Sequence, residues 1–459
     1  TAAPGIRTSP NGAQAVRRHT KYRFAPWAFL AVLTVLQTNP ASAQWPQWGG
    51  PDRNFSVEVT GLAETWPDGG PKRLWSRPLG DGYSTIVADD GVLYTMYRND
   101  ADEFTIALNA KTGETIWEHK IAAPVKDDRK SYGPGPYATP LLVGSRLITV
   151  GTNSVLHCYD KKTGKVLWQH DLVAKYDALV QGFGFSSSPI AYRNTIIIPV
   201  GRKVHDDDDK DAPADKTDDA DKEEEQQAQS LMAFDSQSGS LVWENLSYGV
   251  TKHTSTYSSP ILINFAGRDQ LVLFMATELA GLDPLTGERL WGVQHTTSYD
   301  ENIATPAWDG KDTLFCSSAY GTGSRAIKLS STNGKTTATE MWYSKKMRVL
   351  HGNVVKIGDY VYGSSGDFGP CFFSGINMAT GKMAWRKRGF KKATCLFADG
   401  KLIILDEDGQ LALTTATADD LTIHSRCNLE LHNAWATPTL IGHTLFIRDR
   451  DNIMALDLG

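Results

Sequence analysis

Cysteine is scarce in this 459-residue chain: five occur, Cys158, Cys316, Cys371, Cys395 and Cys427, all far apart in sequence. That spacing excludes CxxC redox and zinc motifs, and an odd count leaves at least one thiol unpaired in a monomer. Most sit in or beside apolar stretches, so they read as small buried hydrophobes. There is no GxSxG elbow, GxxxxGK[ST] loop, HExxH pair or dinucleotide fingerprint, which removes the signatures of four large enzyme classes. An excess of positive charge is also missing. The net charge is −5, and the five basic residues before Gln44 stand without an acidic one, so the remainder carries −10. Nonspecific nucleic-acid binding needs a basic footprint and is disfavoured.

Long apolar runs are few. The longest, Phe24–Leu36, follows a basic cluster of Arg17, Arg18, Lys21 and Arg23 and precedes Ala41-Ser42-Ala43. This is the pattern of a signal peptide cleaved before Gln44, and 13 residues are too few to span a bilayer comfortably. Residues 1–43 are therefore expected to be a leader, with no transmembrane anchor after cleavage and a periplasmic or secreted product.

What the chain has in abundance is a repeat. Ala107–Trp117 reads ALNAKTGETIW, Cys158–Trp168 CYDKKTGKVLW, Ala233–Trp243 AFDSQSGSLVW, Gly281–Trp291 GLDPLTGERLW and Gly375–Trp385 GINMATGKMAW. A weaker copy ends at Trp342, and Trp75 lies in what looks like the second half of another. In each copy an apolar strand ends at Asp or Asn, whose side chain can accept from the turn backbone, and Thr-Gly or Ser-Gly makes the reversal. A Trp follows eight positions after the Asp or Asn, a spacing that places the ring between neighbouring units. Proline at 140, 189, 260, 306 and 438 marks the start of a strand, where no ladder hydrogen bond is lost. Intervals of 42 to 51 residues between most Trp markers leave room for four short strands. The 75-residue interval between Trp168 and Trp243 holds an ordinary unit plus an insertion.

These features predict an all-β chain: one eight-bladed β-propeller of four-stranded antiparallel blades over 44–459. The last unit, Trp435–Gly459, supplies three strands, and the orphan strand around Trp75 supplies the fourth, so pairing of N- and C-terminal strands closes the ring. Seven blades is the alternative, because the units at Trp342 and Ile423 are degenerate. Residues 205–230 are expected to be a disordered acidic insertion. Positions 206–225 hold 12 acidic side chains and three lysines, and such a run cannot bury apolar area. Trp45 and Trp48, among turn residues, suggest a segment docked on the propeller, or else a partner-binding arm.

The run Asp160, Thr163, Gly164, Trp168, repeated at Asp283, Thr286, Gly287, Trp291, resembles the quinoprotein-like, or PQQ-like, β-propeller repeat family. The opening Trp45–Arg53 is similar to that of exported bacterial members. The resemblance implies two alternatives. One branch is the quinoprotein dehydrogenases, which carry PQQ and calcium near the axis; their Trp-rich stretch and adjacent cysteine pair are absent here. The other resembles the propeller scaffold of the outer-membrane protein assembly machinery, which binds partners and no quinone. The main expectation is thus a non-catalytic binding or scaffolding module without a cofactor, meeting an envelope protein, peptide or glycan.

Catalytic residue types concentrate in the segments ahead of the strand starts: Tyr132, Tyr137, Phe183, Phe185, His253, Tyr257, Asp300, Glu301, Asn302, His351, Asn353, His432 and Trp435. His253, His351 and His432 fall in three repeats and would form a metal site if they converged, while satisfied loop histidines are the plainer reading. Asp300, Glu301 and Asn302 offer oxygen ligands for calcium, but equally suit a surface turn. For PQQ the candidates are Tyr257, Asn302 and Trp435.

Overall fold

A computed structural model describes residues 44–125, 133–180, 182–203, 227–245, 250–251 and 257–459, together with Thr1. Its strands fall into eight sheets, each antiparallel among its four blade strands. Blade 1 runs Val87–Asp89, Val92–Asn99, Asp102–Asn109 and Thr115–Ala122, and this four-step pattern repeats. Blades 2 to 7 begin at Leu141, Ile190, Ile261, Ala307, Val354 and Ala393. The alternative of seven blades is thereby excluded. Within a blade the strands are called a to d, from the axis outward. First strands of neighbouring blades touch one another through blades 1 to 3 and again through blades 5 to 7. Fourth strands are more exposed: Lys72–Pro78, Thr115–Ala122 and Val166–Asp171 alternate exposed and half-buried residues over most of their length.

The ring closes as the repeat count requires. Blade 8 takes strands a to c from Thr439–Ile441, Thr444–Arg448 and Asn452–Asp457, and strand d from Lys72–Pro78. Trp75 lies opposite Ala455, just past a bulge in the ladder. The same one-residue bulge recurs beside Trp117, Trp243, Trp291, Trp342 and Trp385. A bulge re-aims the strand, and here it turns the indole toward the next blade.

There the indole meets the next blade's c–d turn. Trp75 donates to Ala110 O at 2.9 Å, Trp117 to Lys161 O at 2.9 Å, Trp342 to Met378 O at 2.8 Å and Trp385 to Thr417 O at 2.9 Å. The turn glycine lies flat on the ring: a Cβ on Gly113, Gly164, Gly239, Gly287 or Gly381 would sit 2.4–2.7 Å from indole carbons. Trp291 departs from the rule. It donates instead to Gln270 Oε1 at 2.7 Å, because blade 5 makes its c–d reversal at Asn333-Gly334, where two residues of positive φ join two ten-residue strands.

Nearer the axis a second set of contacts links the blades. The small hydroxyl residues preceding the prolines accept from their neighbours: Thr85 N donates to Thr139 Oγ1, Thr139 N to Ser188 Oγ, and Ser188 N to Ser259 Oγ. Arg448, 1% exposed, spans the closing seam, donating to Ser84 O, Thr95 Oγ1, Met96 O and Gly80 O of blade 1 and its approach. Hydrogen bonds of this kind satisfy buried backbone groups at these four blade junctions.

The expected leader, Thr1 apart, and most of the acidic insertion lie outside the described residues. The insertion ends sooner than its composition suggests: Gln227–Ser230, counted above as disordered, open the strand Gln227–Asp235 and pair with Val200–Lys203. Backbone pairing with a neighbouring strand overrides the weak β preference of that polar tetrapeptide. No helix among the described residues is long and apolar enough to cross a membrane. The five cysteines are free thiols, four of them buried.

Candidate functional site

A propeller gathers equivalent loops of all blades around its axis, so each end of the central channel is a composite surface. The end formed by the a–b turns is occupied by the chain itself. Trp45, fully buried, pairs with Ala88 of blade 1. Leu142 N of blade 2 donates to Pro46 O. The Trp48 indole donates to Thr305 Oγ1 ahead of blade 5, at 2.8 Å. Arg53 reaches Pro189 O and Pro260 O, ahead of blades 3 and 4, at 2.6 and 2.9 Å. Ser56–Val57 then adds a parallel strand along blade 7. Residues 45–57 therefore cross the channel as a plug, which settles Trp45 and Trp48 as docked residues rather than a free arm. Gly49 at φ +74° makes the tight turn possible, since its Cβ would strike Arg53 Cα at 2.9 Å.

The opposite end carries the d–a and b–c connections and most of the predicted site residues. Six rings from six different connections follow one another around it. His351 and Trp435 are 4.4 Å apart, Trp435 and Tyr83 5.0 Å, Tyr83 and Tyr137 5.6 Å, Tyr137 and Phe183 6.4 Å, and Phe183 and Tyr257 5.8 Å. A second run of rings, Tyr299, Tyr320 and Phe368, lies at the same end with spacings of 4.9 and 5.7 Å. This second run is wet: Phe368 is 81% and Tyr299 53% exposed. Trp435 Nε1 donates to Glu407 Oε2 at 2.9 Å, which fixes the ring's tilt.

Titration at this end follows from burial. The Tyr320 hydroxyl is pushed well above its ordinary value, chiefly by desolvation and then by the Glu301 carboxylate to which it is hydrogen-bonded. The His351 imidazole falls to about 3, through desolvation and the charge of Lys392, so it is neutral at physiological pH. Neither of its ring nitrogens has a hydrogen-bond partner among the described residues.

Of the predicted residues, Tyr137, Phe183, Tyr257, His351 and Trp435 are thus brought together. Tyr83, in the same belt, and Tyr299, Tyr320 and Phe368, in the second run, escaped the sequence reading; their position ahead of a strand or at a b–c turn was the available signal. Tyr132 and His253 lie outside the described residues. His432 is exposed, and its backbone N–H is held by Asp449. Asn302 corrects the surface-turn reading, because it is fully buried. Its Nδ2 lies within hydrogen-bonding distance of Met275 O, Ala276 O and His295 O, and its Oδ1 accepts from Ser318. The Asn302 amide is thus held by four buried groups of the fold rather than presented at a surface, and Glu301 is engaged by Tyr320. Asp300, half-buried, turns the backbone at φ +51°. Among the described residues no three His, Cys, Asp or Glu side chains converge as metal ligation requires. Asp300, Glu301 and Asn302 as placed do not form a calcium-ligating set among the described residues.

The family model for outer membrane protein assembly factor BamB matches residues 67–206 and 102–387, more than half of the chain. The chain belongs to the BamB family. A curated BamB from Kangiella koreensis is 30% identical over 99 residues, 22% of this chain; the match spans only about a quarter (25%) of the length of that relative. Among solved structures, BamB from Moraxella catarrhalis superposes with a TM-score of 0.56 at 15% identity, covering 84% of this chain and 99% of that one. Quinohemoprotein alcohol dehydrogenase from Comamonas testosteroni gives 0.65 at 14% identity, covering 92% and 82%. At such identities the two superpositions report the shared propeller alone. The BamB-like repeat thus accounts for the architecture, and the site must speak for the function.

Proposed function

We propose that this protein is a non-catalytic propeller of the cell envelope that holds a partner protein, peptide or glycan against the aromatic belt of its d–a face. The observation carrying this reading is the belt itself: rings from six connections in series, joined at the same end by the exposed Tyr299 and Phe368. Aromatic side chains bring large contact area at little entropic cost, and they dominate the energetics of interfaces. Two further features support it. The axis is plugged from the other end by the protein's own residues 45–57, and the polar groups of Trp435, Tyr320 and Tyr137 are held by Glu407, Glu301 and Gly133 O rather than arranged around a reacting atom. Membership of a family named for outer membrane protein assembly agrees with a periplasmic or secreted scaffold.

The test is cross-linking in intact envelopes, comparing the wild type with Tyr299→Ser and Phe368→Ser. The reading expects a discrete partner adduct that both substitutions diminish. Saturable, stoichiometric PQQ and Ca²⁺ binding by the purified protein, with a quinone spectrum, would replace it with the dehydrogenase alternative.

A further inference from the structure

Arg53 carries a charge that its role in the plug leaves uncompensated. Its guanidinium is 4% exposed, and its partners are all neutral: Gln47 Oε1 at 2.9 Å and the carbonyls of Pro260 and Pro189. A guanidinium has five N–H donors, so two remain without an acceptor among the described residues. Burying a cation against carbonyl dipoles alone leaves part of its lost hydration unreplaced. Consistent with this, desolvation lowers the Arg53 pKa to about 9.

The same side chain borders a cavity of about 590 Å³ between the plug and the inner strands of blades 3 to 6. Ile261, Ile263 and Trp308 provide apolar wall, and Lys356 contributes a second cation that is half-buried and in no ion pair among the described residues. Two carboxylates also border the space. Asp309 accepts three backbone N–H groups of its own turn through Oδ1, and Asp52 is exposed. Of these four charged groups Arg53 is the most deeply buried, and Asp309 is already satisfied by its own turn. The volume lies within the range of small-molecule sites, roughly 300–1,000 Å³.

We propose that this cavity is a binding site for a small organic oxyanion, whose carboxylate or phosphate group takes the two remaining N–H donors of Arg53 and the Lys356 ammonium. An apolar portion of the ligand would lie on Ile261, Ile263 and Trp308. The planar fork of a guanidinium suits either oxyanion, since both offer paired oxygens. This site is at the opposite end of the channel from the aromatic belt, and it stands or falls independently of partner binding there.

Calorimetric titration of the full protein with benzoate, inorganic phosphate and benzamide distinguishes the cases. The site predicts saturable binding of benzoate or phosphate and none of neutral benzamide. Tighter benzoate marks an organic acid as the natural class, and tighter phosphate marks a phosphorylated one. Lys356→Ala should weaken that binding by roughly tenfold, the scale of one charge-assisted contact. Arg53→Lys should weaken it further. Because Arg53 also supports the plug, Lys356→Glu serves as the variant that leaves folding contacts in place, and it should abolish binding. Absence of saturable binding by both anions, equal binding of benzamide, or affinities unchanged in the Lys356 variants would overturn the proposal.

Discussion

Replacing Gly164 by alanine tests whether the Trp-and-turn contact truly holds neighbouring blades. Two separate costs are expected. Gly164 has φ +70°, a region in which an L-residue is strained by about 1–2 kcal/mol. The added methyl would also stand 2.6 Å from Cδ2 and Cε3 of Trp117, whereas carbon atoms prefer about 3.5–4.0 Å. The struck atoms are in the middle of a ring that is anchored by its bond to Lys161 O, so they cannot swing aside as the end of a flexible chain would. Crowding of that kind adds about 1–3 kcal/mol, giving a total of about 2–5 kcal/mol. Gly144 provides the control. It sits in the a–b turn of the same blade at φ +57°, and its Cβ would meet nothing within 4 Å. Gly144→Ala should therefore cost only the conformational part, about 1–2 kcal/mol. Urea unfolding followed by tryptophan fluorescence would give both values. Equal destabilisation of the two variants would refute the close ring contact as a source of blade cohesion.

Trp291→Ala removes a buried indole whose partner is Gln270 of its own blade, and it should cost about 3–5 kcal/mol while leaving partner adducts at the belt intact; a stable variant that loses only those adducts would contradict this. Buried histidines set the acid limit of the fold: burial, the leading cause in each, holds His157 at about 4 and His295 and His351 at about 3. Their folded values lie below the unfolded value near 6.5, so the unfolded state binds more protons. Their contribution is present in full above that value and is lost as pH falls from about 6.5 toward 3–4. His295→Gln should flatten the fall in denaturation midpoint between pH 7 and 4, and an unchanged slope would count against a neutral buried imidazole.

The division between sequence and tertiary structure follows the range of the forces involved. The blade repeat was legible because its physics is local: an Asx turn, a glycine of positive φ and an indole eight residues on are fixed by neighbouring backbone. Closure was legible too, since three strands at the C-terminus and one around Trp75 leave only one economical pairing. Even the degenerate Trp342 unit docks by the same rule, with its indole on Met378 O. By contrast, although Tyr137, Tyr257 and Trp435 each stand three residues before a strand-entry proline, Tyr83, Phe183 and His351 keep no such spacing, and the six connections are remote in sequence. Their order around the axis exists only once the sheets are arranged in a circle. Asn302 shows the same limit from the other side. Its polar neighbours suggested a turn or an ion ligand, and only folding supplied the three carbonyls and the hydroxyl that satisfy its buried amide. Arg53 was one residue of an opening motif in the sequence. The propeller made it a buried cation, because its carbonyl partners come from blades 136 and 207 residues away and no local rule reaches that far.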